Sequence, residues 1–115
     1  MTTEKLEKPQ WQAYFDNVSK MIAGSRVQID VTGLQVGDQV EAQQLPLTGL
    51  SYDSKDDCIE IITESLDHRI QKPVTIHVDY AVDGLHSIEV IDAADLHQIV
   101  RFIQPVALPE PGKVA

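Results

Sequence analysis

From Val27 to Phe102 the apolar residues of this chain return in short runs at every second position, and no helical face interrupts them. A period of two sends alternate side chains to opposite faces of a pleated strand, so most of the chain must form sheet with one face buried. Val27, Ile29 and Val31 alternate with Gln28 and Asp30; Leu50 and Tyr52, Ile59 and Ile61, Ile76, Val78 and Tyr80, and Ile88 and Val90 repeat the pattern. Leu96 to Phe102 closes the series, with Ile99 and Val100 leaving apolar groups on both of its faces.

Parity constrains how these strands pair. If Leu50 opposes Ile61 and Tyr52 opposes Ile59, then Asp53 meets Cys58 and residues 54–57 form the hairpin loop. Between Ile76–Tyr80 and Ile88–Val90, the Asp83-Gly84 pair invites a two-residue turn. Shared core faces instead predict a three-residue loop, Val82-Asp83-Gly84, with Gly84 left-handed. That register sets Val78 opposite Ile88, Ile76 opposite Val90 and His77 opposite Glu89. Pro46 predicts a bend, a bulge or an edge.

The one helix comes first. Pro9 suits a first helical turn, Trp11, Phe15, Val18 and Ile22 fall on one face, and Gly24 supplies a stop. Asp16, Asn17 and Lys20 belong to the wet side. At 115 residues the chain has room for one core. The expectation is a single helix-plus-barrel domain over residues 9–104. A flexible N-terminus precedes it at 1–8, and a tail at 105–115 holds three of the six prolines. The fold class is α+β, mainly β: an N-terminal helix followed by about five to seven antiparallel strands.

Two resemblances sharpen this. The runs Trp11-Gln12-Ala13-Tyr14-Phe15-Asp16, Leu45-Pro46-Leu47-Thr48-Gly49, Ser51–Asp57, Asp67-His68 and Ser87–Asp92 resemble an uncharacterised family of small acidic bacterial proteins across about residues 8 to 104. More weakly, Leu47–Asp53 with Asp57, Ile59 and Ile61, and then Ala81-Val82-Asp83-Gly84 with Ile88, are similar to the two motifs of the Sm-like fold. That resemblance implies an antiparallel sheet curled into a small barrel that assembles into rings. Asp83 stands where the RNA-binding members carry a basic residue, so the resemblance implies the fold and not the ligand.

Charge narrows the function. Nine Lys and Arg against 18 Asp and Glu give a net charge of −9, which opposes nucleic acid and anionic membranes alike. The lone Cys58 excludes an internal disulfide and a cysteine-cluster metal site. The opening residues lack the apolar stretch of a signal peptide, and no apolar run reaches the ~20 residues of a membrane span, so a cytoplasmic location is expected.

Few side chains suggest chemistry. Asp53, Asp56 and Asp57, with Glu60 and Glu64 nearby, have the charge for a divalent cation, but Asp and Ser are also ordinary turn formers and Lys55 sits among them. Asp67 beside His68 suggests a proton-transfer dyad, yet chain neighbours rarely aim at one another and no nucleophile is assignable. His68, His77, His86 and His97 lack metal-ligand spacing. Nearby carboxylates raise the thiol of Cys58 and blunt it. The reading is a non-enzymatic protein without metal or cofactor, an oligomer-forming or protein-interaction module. The alternative is a small-molecule or divalent-cation binder, or an enzyme, using Asp53, Asp57 and His68. RNA binding ranks third. A homo-oligomer is expected in which Leu96 to Phe102, apolar on two faces, or its neighbouring strand is buried between subunits, with Arg101 offered to the next chain.

Overall fold

The helix forms where its apolar face predicts. A short 3-10 turn, Lys8–Gln10, leads into α1, Trp11–Met21. The turn is closed by Gln10 N–H donating to Glu7 O at 2.8 Å and Glu7 N–H donating to Gln10 Oε1 at 3.0 Å. Trp11, Phe15, Val18 and Ile22 are buried, joined by Tyr14, while Asp16, Asn17 and Lys20 are exposed. The structure, a computed structural model, describes residues 2–22, 25–33, 37–64 and 67–107, so the expected stop at Gly24 lies outside the described residues. Ser19 Oγ donates to Leu50 O at 3.0 Å and accepts from Leu50 N–H at 3.2 Å, which straps the helix to the sheet beneath it.

Among the described residues there are eight strands, in chain order β1 (Thr2–Leu6), β2 (Arg26–Gly33), β3 (Gly37–Asp53), β4 (Cys58–Thr63), β5 (Asp67–Gln71), β6 (Pro73–Ala81), β7 (Gly84–Asp92) and β8 (His97–Val106). All pairings are antiparallel, in the spatial order β1-β6-β7-β8-β2-β3-β4-β5. β3 serves two neighbours, pairing β2 up to Pro46 and β4 from Leu47 onward. The changeover falls beside Gln44, at φ 53°, and Pro46, whose missing N–H ends a ladder as its position predicts.

Both parity arguments hold for the core. Leu50 pairs Ile61, Tyr52 pairs Ile59 and Asp53 pairs Cys58. Val78 pairs Ile88, Ile76 pairs Val90 and His77 pairs Glu89. The turn between β6 and β7 differs in detail: Ala81 pairs Gly84, so only Val82 and Asp83 lie in the loop. The extra residue that parity requires is accommodated further along, where Tyr80 meets Leu85 and Asp79 meets Ser87, bulging the strand at His86.

Four expectations are corrected. Residues 2–6 are not a loose N-terminus: they form β1, registered from Thr2 opposite Tyr80 to Leu6 opposite Ile76. Leu6, 2% exposed, anchors it, Trp11 Nε1–H donates to Leu6 O at 3.2 Å, and Thr3 Oγ1 donates to the Asp79 carboxylate. Nor does the sheet close into a barrel. Closure would join the two ends of the strand order, but β1 pairs only β6 and β5 pairs only β4, so the ends stay apart among the described residues. Finally, Leu96–Phe102 is no edge. β8 lies between β7 and β2, with Val100 and Phe102 buried and Arg101 Nε donating to Asp30 Oδ2 of the same chain at 3.1 Å. β8 also extends beyond the expected boundary at 104. Pro105 and Val106 belong to it, Val106 is buried opposite Leu85, and residues 108–115 lie outside the described residues.

Candidate functional site

The β3–β4 hairpin brings Asp53, Asp56 and Asp57 together in sequence but not onto a common point. Asp53 Oδ1 accepts from the N–H groups of Lys55 at 2.9 Å and Asp56 at 3.4 Å, the bonding of an Asx turn. Asp57, at φ 50°, turns the other way; its Oδ1 accepts from Tyr52 Oη–H at 2.7 Å and lies 3.8 Å from Lys8 Nζ. Asp56 is exposed. Among the described residues no three His, Cys, Asp or Glu side chains converge as metal ligands.

Asp57 instead helps wall an open cleft of about 510 Å³ with Lys8, Pro9, Gln12, Tyr52 and Ser54. The start of α1 supplies one side of the cleft and the hairpin supplies the other. The Trp11 ring meets Tyr52 edge-on at 5.3 Å, and Lys8 Nζ sits 5.6 Å from the Trp11 centroid. Burial, then the bond to Asp57 and the Asp57 charge, push the Tyr52 phenol up to about 12. Tyr52 is therefore a standing donor to Asp57 at neutral pH and not a proton acceptor.

This has a measurable consequence. The unfolded phenol titrates near 10.0, so the fold favours the neutral form, and that stabilisation is complete below the unfolded value and lost as pH rises through about 12. Melting temperature should fall across this alkaline window, and fall less steeply in Tyr52→Phe. Tyr14 is raised further by burial and its bond to Tyr80 Oη, but it contributes equally to both chains. Identical alkaline slopes would remove the Tyr52–Asp57 bond from the account.

His68 lies elsewhere. It pairs with Ile61, whereas Cys58 beside Asp57 pairs with Gln71, a separation of three residues or roughly 10 Å along the strand. Its partner is not Asp67. His68 Nε2 is 2.6 Å from Gln98 Oε1, and Gln98 Nε2 donates to Asp92 Oδ2 at 2.7 Å. A carboxylate only accepts, so Asp92 orients the amide with its oxygen toward His68, which must carry its proton on Nε2. The other Asp92 oxygen accepts from Ala94 N–H at 2.9 Å and Leu96 N–H at 3.0 Å. Gln98 and Asp92, 5% and 7% exposed, were missed at the level of sequence. The available signals were the inward parity of Gln98 with Val100 and Phe102, and the Asx-turn position of Asp92 before Ala93-Ala94-Asp95.

The remaining candidates separate. His86 Nε2 meets Asp83 Oδ1 at 2.6 Å and, through that bond, holds the Asp83 carboxyl below its ordinary range. His97 Nδ1 meets Glu89 Oε2 at 3.2 Å, so Glu89 engages His97 as well as facing His77 in register. Cys58 is buried, and burial more than charge pushes its thiol upward, with Arg69 opposing. No helix among the described residues is long and apolar enough to cross a membrane.

Residues 2–111 match a family of unknown function (DUF5335). A relative from Aquifex aeolicus (strain VF5), described as an uncharacterized protein, is 42% identical over 111 residues, which span 96% of this chain and 100% of the relative. No solved structure matches. On a match that runs from the first strand past the last, this chain belongs to the family of unknown function DUF5335.

Proposed function

We propose that the chain is a non-enzymatic module that works by self-association. The observation that carries this is the open sheet: β1 and β5 end it, and each has a strand partner on one side only among the described residues. An unpaired strand edge presents free N–H and C=O groups and is a template for another strand. The polar groups that an enzyme would use support the same reading by their commitments. Asp53 is spent on its own turn, Asp57 on Tyr52 and Lys8, and His68 on Gln98. Nucleic acid remains disfavoured by the net charge of −9.

Molar mass from light scattering, followed from low to high micromolar protein, tests the proposal. A concentration-dependent rise is expected; a monomer mass at every concentration overturns it. The cleft of about 510 Å³ favours a second reading, a small polar ligand held between Lys8 and Asp57, since its size suits one. Ligand-induced NMR shifts centred on Gln12, Tyr52 and Ser54 would support it.

A further inference from the structure

The two ends of the sheet differ in a way that selects one of them. When an edge strand pairs antiparallel with its own copy about a two-fold axis normal to the sheet, residues of the same face must meet. Opposite positions therefore sit an even number of residues apart. On β1 such registers set Thr3, Glu4 or Lys5 against the same residue of the copy, and none brings Glu4 opposite Lys5. On β5 the register centred on His68 brings Asp67 opposite Arg69 of the second copy, and the symmetry does so twice. Registers centred on Asp67 or on Arg69 set like charges together.

The side chains are placed for this. Asp67 and Arg69 are both exposed and share one face of β5, where Arg69 Nη2 also lies 3.6 Å from Glu60 Oε1. β4 holds one side of β5 from Ile62–Asp67 to Cys58–Gln71, and no strand among the described residues pairs the other side. The bond from His68 to Gln98 ties β5 to β8, so the edge is already ordered before a partner arrives.

We propose that two copies of this chain join β5 to β5, antiparallel about a two-fold axis at His68, so that their sheets become continuous. Main-chain bonds supply the attachment and the reciprocal Asp67–Arg69 pairs set its register. The proposal rests on the self-association reading above and names its surface. A five-residue edge makes a small interface, so the dimer dissociates in the micromolar range or above.

Sedimentation velocity of the full chain across concentrations provides the test. Asp67→Arg alone and Arg69→Asp alone each place like charges across the axis twice and should weaken dimerisation by about tenfold or more. Mixing the two single variants makes every cross-strand pair complementary again, so a heterodimer of near wild-type affinity should form. The double variant Asp67→Arg/Arg69→Asp should self-associate as wild type does. Far-ultraviolet circular dichroism checks that each variant is folded. If wild type dimerises but the single variants do so equally, or lose it without recovery on mixing, the β5 surface is wrong while self-association stands. If wild type is monomeric throughout, both readings fall.

Discussion

A Gly84→Ala chain should lose most of its stability, although only a methyl group is added. Gly84 opens β7 at φ +123°, a conformation that side chains rarely adopt, and this alone costs ~1–3 kcal/mol. The added Cβ would lie 2.1 Å from the carbonyl oxygen of Val106 and 2.8 Å from its carbonyl carbon. Backbone at the end of a central strand does not rotate out of the way as a side-chain tip would. Either the turn at Val82-Asp83 unwinds or the end of β8 leaves Leu85, its partner in register. Val106 and Leu85 are both buried, and exposing either costs a further ~1.5–3 kcal/mol. Against a total of ~5–15 kcal/mol for a domain, the chain should be largely unfolded or melt far lower. Urea unfolding followed by circular dichroism reads this directly; an unchanged midpoint would mean that β8 does not pass over Gly84.

Phe15→Ala is the second large effect. Phe15 is 0% exposed at the middle of the helix face that meets the sheet, between Trp11 and Val18. Its removal forfeits the burial of the ring and leaves a void bounded by a helix that Ser19 and Leu50 hold in place, so collapse is limited. The expected loss is ~3–5 kcal/mol, the range for truncating a buried Phe. Asn17→Ala, exposed on the opposite side of the same helix, should change stability by no more than about 0.5 kcal/mol. Equal melting of the two variants would mean that α1 is not docked through this face.

What could be read from sequence was what periodicity and parity reach. The helix face was legible because Trp11, Phe15, Val18 and Ile22 keep one spacing, and the two hairpin registers because apolar alternation on both strands admits few alignments. β1 was invisible for the converse reason. Thr2-Thr3-Glu4-Lys5-Leu6 holds one apolar residue, and its partner lies at Ile76–Tyr80, beyond any local pattern. The barrel expectation failed on the same stretch, since closure depends on a strand that the pattern does not announce. The bulge at His86 was misplaced into the loop because parity counts residues without saying where the extra one goes. As for the candidate site, carboxylates gathered in sequence proved to be turn and cleft groups with separate partners. Gln98 and Asp92 drew no notice because an amide and a carboxylate become a pair only after two strands and a turn are in place.

The long reach of β1 also sets an order of events during synthesis. Residues 2–6 leave the ribosome some seventy residues ahead of their register partners at 76–80, several seconds at ~5–20 residues per second. Over that interval the hairpins β3–β4 and β4–β5 can form from neighbouring chain, while β1 waits without a mate. β2 waits almost as long for β8 on one side. Joining ends so distant costs loop-closure entropy that local hairpins do not, which places these two pairings late and makes folding a millisecond-to-second process. The nascent chain therefore carries its first strand unpaired through most of translation, and the polar make-up of Thr2–Lys5, which hid the strand from pattern reading, is what suits it to that wait in water.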